Sequence, residues 1–232
     1  MIGFQQFLVI MGMGVVLMSC GGETANNDES SQKKEVVGTE SAPVAGEDLF
    51  SDEFEDPDRD SWQKPGEVIK KFGDAHGKKI ADIGAGAGYF TLRLAAAGAN
   101  VIAIDIDDNF LQHIEEEATK LPTHVGSIET RKTVPETPGI ALNEADGVLI
   151  VNTASFLPER KKYFSEIMGG LKEGGQLVIV DFKPERSPVT PPDNLWISSQ
   201  KLVNELKTVG FTIKEVDAKT LPYQYIITAT KR

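Results

Sequence analysis

The chain has 232 residues, 40% hydrophobic and 25% charged, which leaves room for one α/β domain with extensions and excludes a fibrous or low-complexity protein. Its net charge of −11 is uneven: residues 21–60 carry 13 of the 35 acidic side chains against 3 of the 24 basic ones, so the remainder is almost neutral. A near-neutral folded part argues against a nucleic-acid partner, whose affinity depends on Lys and Arg neutralising phosphates.

Residues 7–19 form an apolar run that contains two glycines and ends at Cys20, the single cysteine of the chain. As a helix it rises about 20 Å, short of the roughly 30 Å hydrocarbon core, so a signal peptide fits better than a permanent span. Leu17-Met18-Ser19-Cys20 resembles the bacterial lipobox, which implies a signal peptide over 1–19, lipidation of Cys20 and attachment to a membrane. The alternative is an uncleaved anchor in which Cys20 is incidental. No Lys or Arg precedes the apolar run, whereas Lys33 and Lys34 follow it. The expected location is therefore the periplasmic or cell-surface side of a bacterial membrane, with the cytoplasmic face left open by the basic residues. Residues 20–43 have little to bury and read as a disordered tether, ahead of a domain over 44–232.

Beyond the acidic segment that ends at Asp60, strand and helix patterns alternate, which predicts a parallel sheet with helices on both faces. Strands are expected at 79–83, 101–105, 127–133, 147–152 and 176–182, the third of them poorly marked. Helices are expected at 89–97, 109–121, 158–171 and 198–209, with Lys172-Glu173-Gly174-Gly175 stopping the third. Residues 211–216 and 223–230 read as strands with too short a connection for a crossover helix, so they pair antiparallel and the last strand is reversed.

The informative string is Asp82-Ile83-Gly84-Ala85-Gly86-Ala87-Gly88-Tyr89-Phe90, between a buried strand and a helix. Glycines there permit a tight turn and close approach of a ligand, and the helix start offers N–H groups to it. About 20 residues on, Asp105 closes the next strand where a carboxylate can accept from both hydroxyls of a ribose. The third glycine arrives one place early for a dinucleotide motif, with Tyr89 in the final position, and Asp82 is placed to hold an amino group.

These residues resemble motif I of the class I S-adenosylmethionine (SAM) dependent methyltransferases. The resemblance spans roughly residues 60–232 and implies a Rossmann-like, doubly wound, mostly parallel seven-stranded sheet. It implies SAM as cofactor, held by Asp82, Gly84, Ala85, Gly86, Gly88, Tyr89, Asp105, Ile106 and Asn152. The segments 54–65 and 221–225 also look like stretches of bacterial methyltransferases, some of them exported or lipidated. In that pattern Arg59, Trp62, Gln63 and Pro65 cap the cofactor, and Trp62, Lys64 and Tyr223 line an acceptor pocket. The plainer readings are that Trp62 is core packing, Arg59 a surface charge and Tyr223 edge-strand packing. Two departures stand out: Thr133-Val134-Pro135-Glu136 replaces the usual acidic adenine contact, and Asn152-Thr153-Ala154-Ser155-Phe156 has no histidine base after the fourth strand.

Methyl transfer from a sulfonium is an in-line displacement that relies on positioning and exclusion of water. Asn152 and Asp181, at neighbouring strand ends, are the candidate catalytic residues, and Asp181 reads equally well as a loop cap. His76, His113 and His124 are scattered, so no metal site is expected. The leading function is methylation of a small-molecule acceptor. The alternatives are an exported binding protein without catalysis and an NAD-dependent oxidoreductase.

Overall fold

The computed structural model describes residues 58–123, 125–184 and 196–232. Cys20, the signal segment 1–19, the tether 20–43 and His124 lie outside the described residues.

Two short helices come first, α1 (Arg59–Gln63) and α2 (Pro65–Ile69), followed by a 3-10 turn at Lys70–Phe72. Then come β1 (Lys79–Ile83), α3 (Tyr89–Ala96), β2 (Asn100–Asp105), α4 (Asp108–Ala118), β3 (Ile128–Lys132) and β4 (Ala145–Val151). The chain finishes with α5 (Arg160–Gly170), β5 (Leu171–Phe182), α6 (Ser199–Val209), β6 (Thr212–Asp217) and β7 (Gln224–Thr230). The seven strands lie in the order β3-β2-β1-β4-β5-β7-β6, and β7 runs against both of its neighbours while the other pairs are parallel. This is the Rossmann-like α/β sheet that the alternating pattern calls for, with the reversed strand between β5 and the edge strand β6.

Strand alternation divides the core into two layers. Ile150 of β4 with Leu177 and Ile179 of β5 pack against Phe164 and Ile167 of α5 and Leu202 and Leu206 of α6. On the opposite face Ile80, Leu149, Val178 and Val180 meet Phe90 and Leu94 of α3, together with Val68 and Phe72. Gly147 is required there, because a Cβ would stand 2.7 Å from the Phe72 ring. The functional rim belongs with this second face.

Element ends differ from the sequence expectation where a cap decides them. Helix α4 begins at Asp108 because the Asp107 carboxylate accepts from Asn109 N–H at 2.8 Å, and it stops at Ala118 instead of 121. Helix α5 ends at Gly170, where a Cβ would lie 2.8 Å from Ile140, and the chain enters β5 at once. The expected stop at 172–175 is therefore an irregularity within β5, where the register against β4 shifts. The weak third strand is an edge strand that buries only part of its surface, which explains its mixed composition.

Candidate functional site

The site forms at the carboxyl ends of β1, β2, β4 and β5, where open α/β sheets bind ligands. Between β1 and α3 the backbone passes through left-handed conformations at Gly84 (φ 72°), Gly86 (φ 52°) and Gly88 (φ 84°). Two of these glycines also permit close packing within the protein. A Cβ on Gly84 would lie 2.4 Å from Thr153 Oγ1, and one on Gly88 would lie 2.8 Å from Ile114. The sequence accounts for these glycines by a tight turn and the approach of a ligand; the structure adds that Thr153 and Ile114 occupy the space that two of the missing side chains leave.

Asp105 grips this loop. Its Oδ2 accepts from Gly86 N–H at 2.8 Å, and its Oδ1 accepts from Ile106 N–H at 2.7 Å and Asp107 N–H at 3.0 Å. The N–H groups of Gly84 and Ala85 donate to the Ile104 carbonyl one residue earlier. A carboxylate offers about four lone-pair sites, so three are already spent on backbone. With those three backbone bonds kept, one acceptor position of Asp105 is left for a ribose hydroxyl, and accepting from both would require one of them to yield.

Asp82 lies beneath the loop, 3% exposed, with Oδ2 accepting from the buried Thr91 hydroxyl at 2.7 Å. Burial pushes its carboxyl up to about 6, the nearby Asp105 charge adds to this, and the Thr91 hydrogen bond and Arg59 oppose it. Such a group favours a cationic ligand that would repay its desolvation. Ile106, next to Asp105, is half exposed and presents an apolar surface beside the loop.

Tyr89 begins α3, and its ring is held between two guanidinium groups, those of Arg59 and Arg93, each 3.8 Å from the ring centre. Its hydroxyl donates to Asp60, which also pairs with Arg93 at 2.8 Å, and burial with the Asp60 bond drives the phenol pKa well up. Tyr89 thus joins α1 to α3. Arg59 is 7% exposed, which replaces the surface-charge reading with a buried one.

Trp62 is also buried, 6.2 Å from the Phe182 ring and 6.2 Å from that of Tyr223, so the two proposed pocket aromatics do meet. Lys64 is drawn elsewhere: it is exposed, left-handed at φ 45°, and its ammonium donates to the Thr220 carbonyl at 3.0 Å. Pro65 starts α2, a position where its missing N–H costs nothing.

Asn152 directly follows β4 in the left-handed region at φ 56°, its N–H donating to Val180 and its Oδ1 accepting from Gln224 Nε2 at 2.5 Å. Asp181 is 2% exposed, with Oδ1 accepting from Phe182 N–H at 2.8 Å. Alternation along β5 puts it with Leu177 and Ile179, across the sheet from Asp82 and opposite Tyr225. The Tyr225 phenol is raised by burial and then by the Asp181 charge, and it donates to the Ile197 carbonyl at 2.7 Å. The structure therefore gathers Asp82, the glycine loop, Asp105, Asn152 and α1 on one side and leaves Asp181 on the other. Thr91, Thr153, Asp60, Arg93 and Gln224 were not foreseen. Only Gln224 carried a local signal, a glutamine opening the apolar run 225–229.

Residues 81–179, under half of the chain, match a family model described as a methyltransferase domain. A SAM-dependent methyltransferase from Aquifex aeolicus superposes with a TM-score of 0.71 at 24% identity, covering 78% of this chain and 96% of its own. The 4+2-cyclase SpnF superposes with a TM-score of 0.63 at 16% identity, covering 73% and 80%. These likenesses establish the fold. A demethylmenaquinone methyltransferase from Tropheryma whipplei is 28% identical over 136 residues, 59% of this chain and 54% of the relative. The chain spans about half the length of the curated relatives it matches.

Proposed function

We propose that the chain is a SAM-dependent methyltransferase acting on a small-molecule acceptor. The observation that carries this reading is the pairing of Asp105, locked onto the Gly84–Gly88 loop, with Asp82 buried beneath it. The two carboxylates differ in role. Asp105 is engaged by three backbone donors and keeps one lone-pair site for a ribose hydroxyl, while Asp82 is buried with few donors and suits an ammonium such as that of a methionine moiety. Half-exposed Ile106 is the candidate apolar face for an adenine ring, and Asn152, just past the carboxyl end of β4, is the candidate contact for the methionine end. The match of residues 81–179 to a methyltransferase domain supports the same reading.

When bound, SAM supplies an electrophilic methyl group on a sulfonium. This chain's residues contribute orientation and exclusion of water, with buried Trp62 and α1 closing one side. Tyr223, beside Trp62, is kept as a wall of the acceptor pocket, whereas Asp181, on the other face of the sheet, is set aside as its carboxylate. Calorimetry with SAM tests the proposal: binding in the micromolar range is expected, and no heat at millimolar ligand overturns it.

A second reading is favoured by the cyclase, whose chemistry as named is not methyl transfer although it shares this fold. It makes the chain a binding protein or catalyst of another reaction, and labelled-methyl transfer abolished by Asp82→Asn would eliminate it. We further propose export and a lipid anchor at Cys20, resting on Leu17-Met18-Ser19-Cys20. Metabolic labelling with a radioactive fatty acid should mark the wild type and leave Cys20→Ala unmarked.

A further inference from the structure

Four side chains from three distant parts of the chain stand in single file. Arg59 Nε donates to Gln63 Oε1 at 2.6 Å, Gln63 Nε2 to Gln224 Oε1 at 3.1 Å, and Gln224 Nε2 to Asn152 Oδ1 at 2.5 Å. Both glutamines are fully buried. Chemistry settles the direction of the file. A guanidinium has only donors, so Gln63 must turn its oxygen to Arg59 and its NH2 onward. Gln224 then must receive with its oxygen and pass on its own NH2, and Asn152 must receive with Oδ1. Reversing either glutamine would set donors against donors or oxygens against oxygens in a dry setting where unmatched polar groups are costly. The polarity begun by a cation therefore ends with the Nδ2–H2 group of Asn152 turned away from Gln224, and aligned bonds of this kind strengthen the last donor.

The end of the file lies next to the cradle. Asn152 departs from β4 in a left-handed conformation, and the following residue, Thr153, fills the space that the missing Cβ of Gly84 leaves. We propose that Gln63 and Gln224 are positioning residues which, with Arg59, set the polarity of Asn152 so that it presents an amide donor to a carboxylate of the bound ligand. The identity of that ligand rests on the SAM reading, whose methionine moiety carries one free carboxylate; the polarity of the file does not.

The test uses the full chain, calorimetry at neutral pH, and two probes: S-adenosylhomocysteine, which has the carboxylate, and methylthioadenosine, which lacks the amino-acid end. Gln224→Glu still accepts from Gln63 but offers oxygen to Asn152, which then turns its NH2 inward and its own oxygen toward the ligand. Asn152→Asp removes the outward donor directly. Both are expected to weaken S-adenosylhomocysteine at least tenfold and change methylthioadenosine less than twofold, and Gln224→Met, which cannot invert Asn152, should lose less than Gln224→Glu. Wild-type affinity for S-adenosylhomocysteine in Gln224→Glu, or equal losses for both probes, overturns the proposal. A second measurement needs neither ligand nor a folded Glu variant. In the free wild type the carboxamide protons of Gln63 and Gln224 should exchange with solvent far more slowly than those of exposed Gln112 and Gln200, and Arg59→Met should release Gln63. Fast exchange at Gln63 and Gln224 overturns the file itself, whereas wild type that binds neither probe overturns the methyltransferase reading and leaves the file to be judged by exchange alone.

Discussion

The two ends of the sheet treat charge in opposite ways. At the carboxyl ends of the parallel strands Asp82 is buried with a hydroxyl for company, and its carboxyl is pushed up to about 6. At the amino ends Glu144 accepts both terminal nitrogens of Arg131, at 2.8 and 3.0 Å, along with Ala141 N–H and the Lys79 ammonium. Those bonds, led by Arg131, hold Glu144 well below the usual carboxylate range. Asp146 beside it takes Lys79 N–H and the Lys172 ammonium. One end is satisfied in itself and closes the fold. The other is left with an expensive anion that Thr91 and Arg59 relieve only in part and an outside cation would relieve further, the mark of a binding end.

Removing Asp105 should break the contrast most severely. Asp105→Ala strips a charged acceptor from three backbone N–H groups at once, and a loss of about 3 kcal/mol or more is expected in chemical denaturation, together with loss of cofactor binding. Acid should move the two ends in opposite directions. Asp82 has a folded value near 6 against an ordinary 3.8, so its ionisation weakens the fold progressively as pH rises through that window, by about 3 kcal/mol in full above it. Asp82→Asn keeps an oxygen for Thr91 and should therefore be more stable than wild type at pH 8, by up to that amount, and equal to it below pH 4. SAM affinity should fall about tenfold per pH unit below 6 in the wild type, because the ammonium needs the ionised form.

Gly84→Ala tests how far the loop depends on packing. The new Cβ meets Thr153 in a left-handed conformation, so a loss of about 2 kcal/mol is expected, and Thr153→Ala should recover only the part due to contact. Glu144→Gln should cost about 1 kcal/mol, measured by thermal melting at pH 7, and the difference from wild type should begin to shrink as pH falls below the ordinary carboxylate value and vanish only well below it. Arg93→Ala should cost less still, since its pair with Asp60 is largely exposed; its effect belongs in the mobility of α1, read by hydrogen exchange at Trp62 and Gln63.

Much of the fold could be read along the chain because it depends on local pattern. The apolar runs at 79–83, 101–105, 147–152 and 176–182 had to be buried parallel strands, and the short link before 223–230 forced an antiparallel pair. Asp82, the three glycines and Asp105 were legible for the same reason, since a strand, a tight turn and a helix start occupy one short string. Boundaries slipped where a single cap or packed glycine decided them, as at Asp107 and Gly170.

What sequence by itself determined was the sheet, its reversed strand and the two carboxylates at the mouth, because periodicity and turn chemistry act between near neighbours. Tertiary structure alone decided how those groups are engaged. Thr153 reaches Gly84 from the turn after β4, Arg59 closes on Tyr89 from a different helix, and Gln63 meets Gln224 across 161 residues. A hydrogen bond is set by distance and direction in space, and neither can be read from a string of residues until packing brings its ends together.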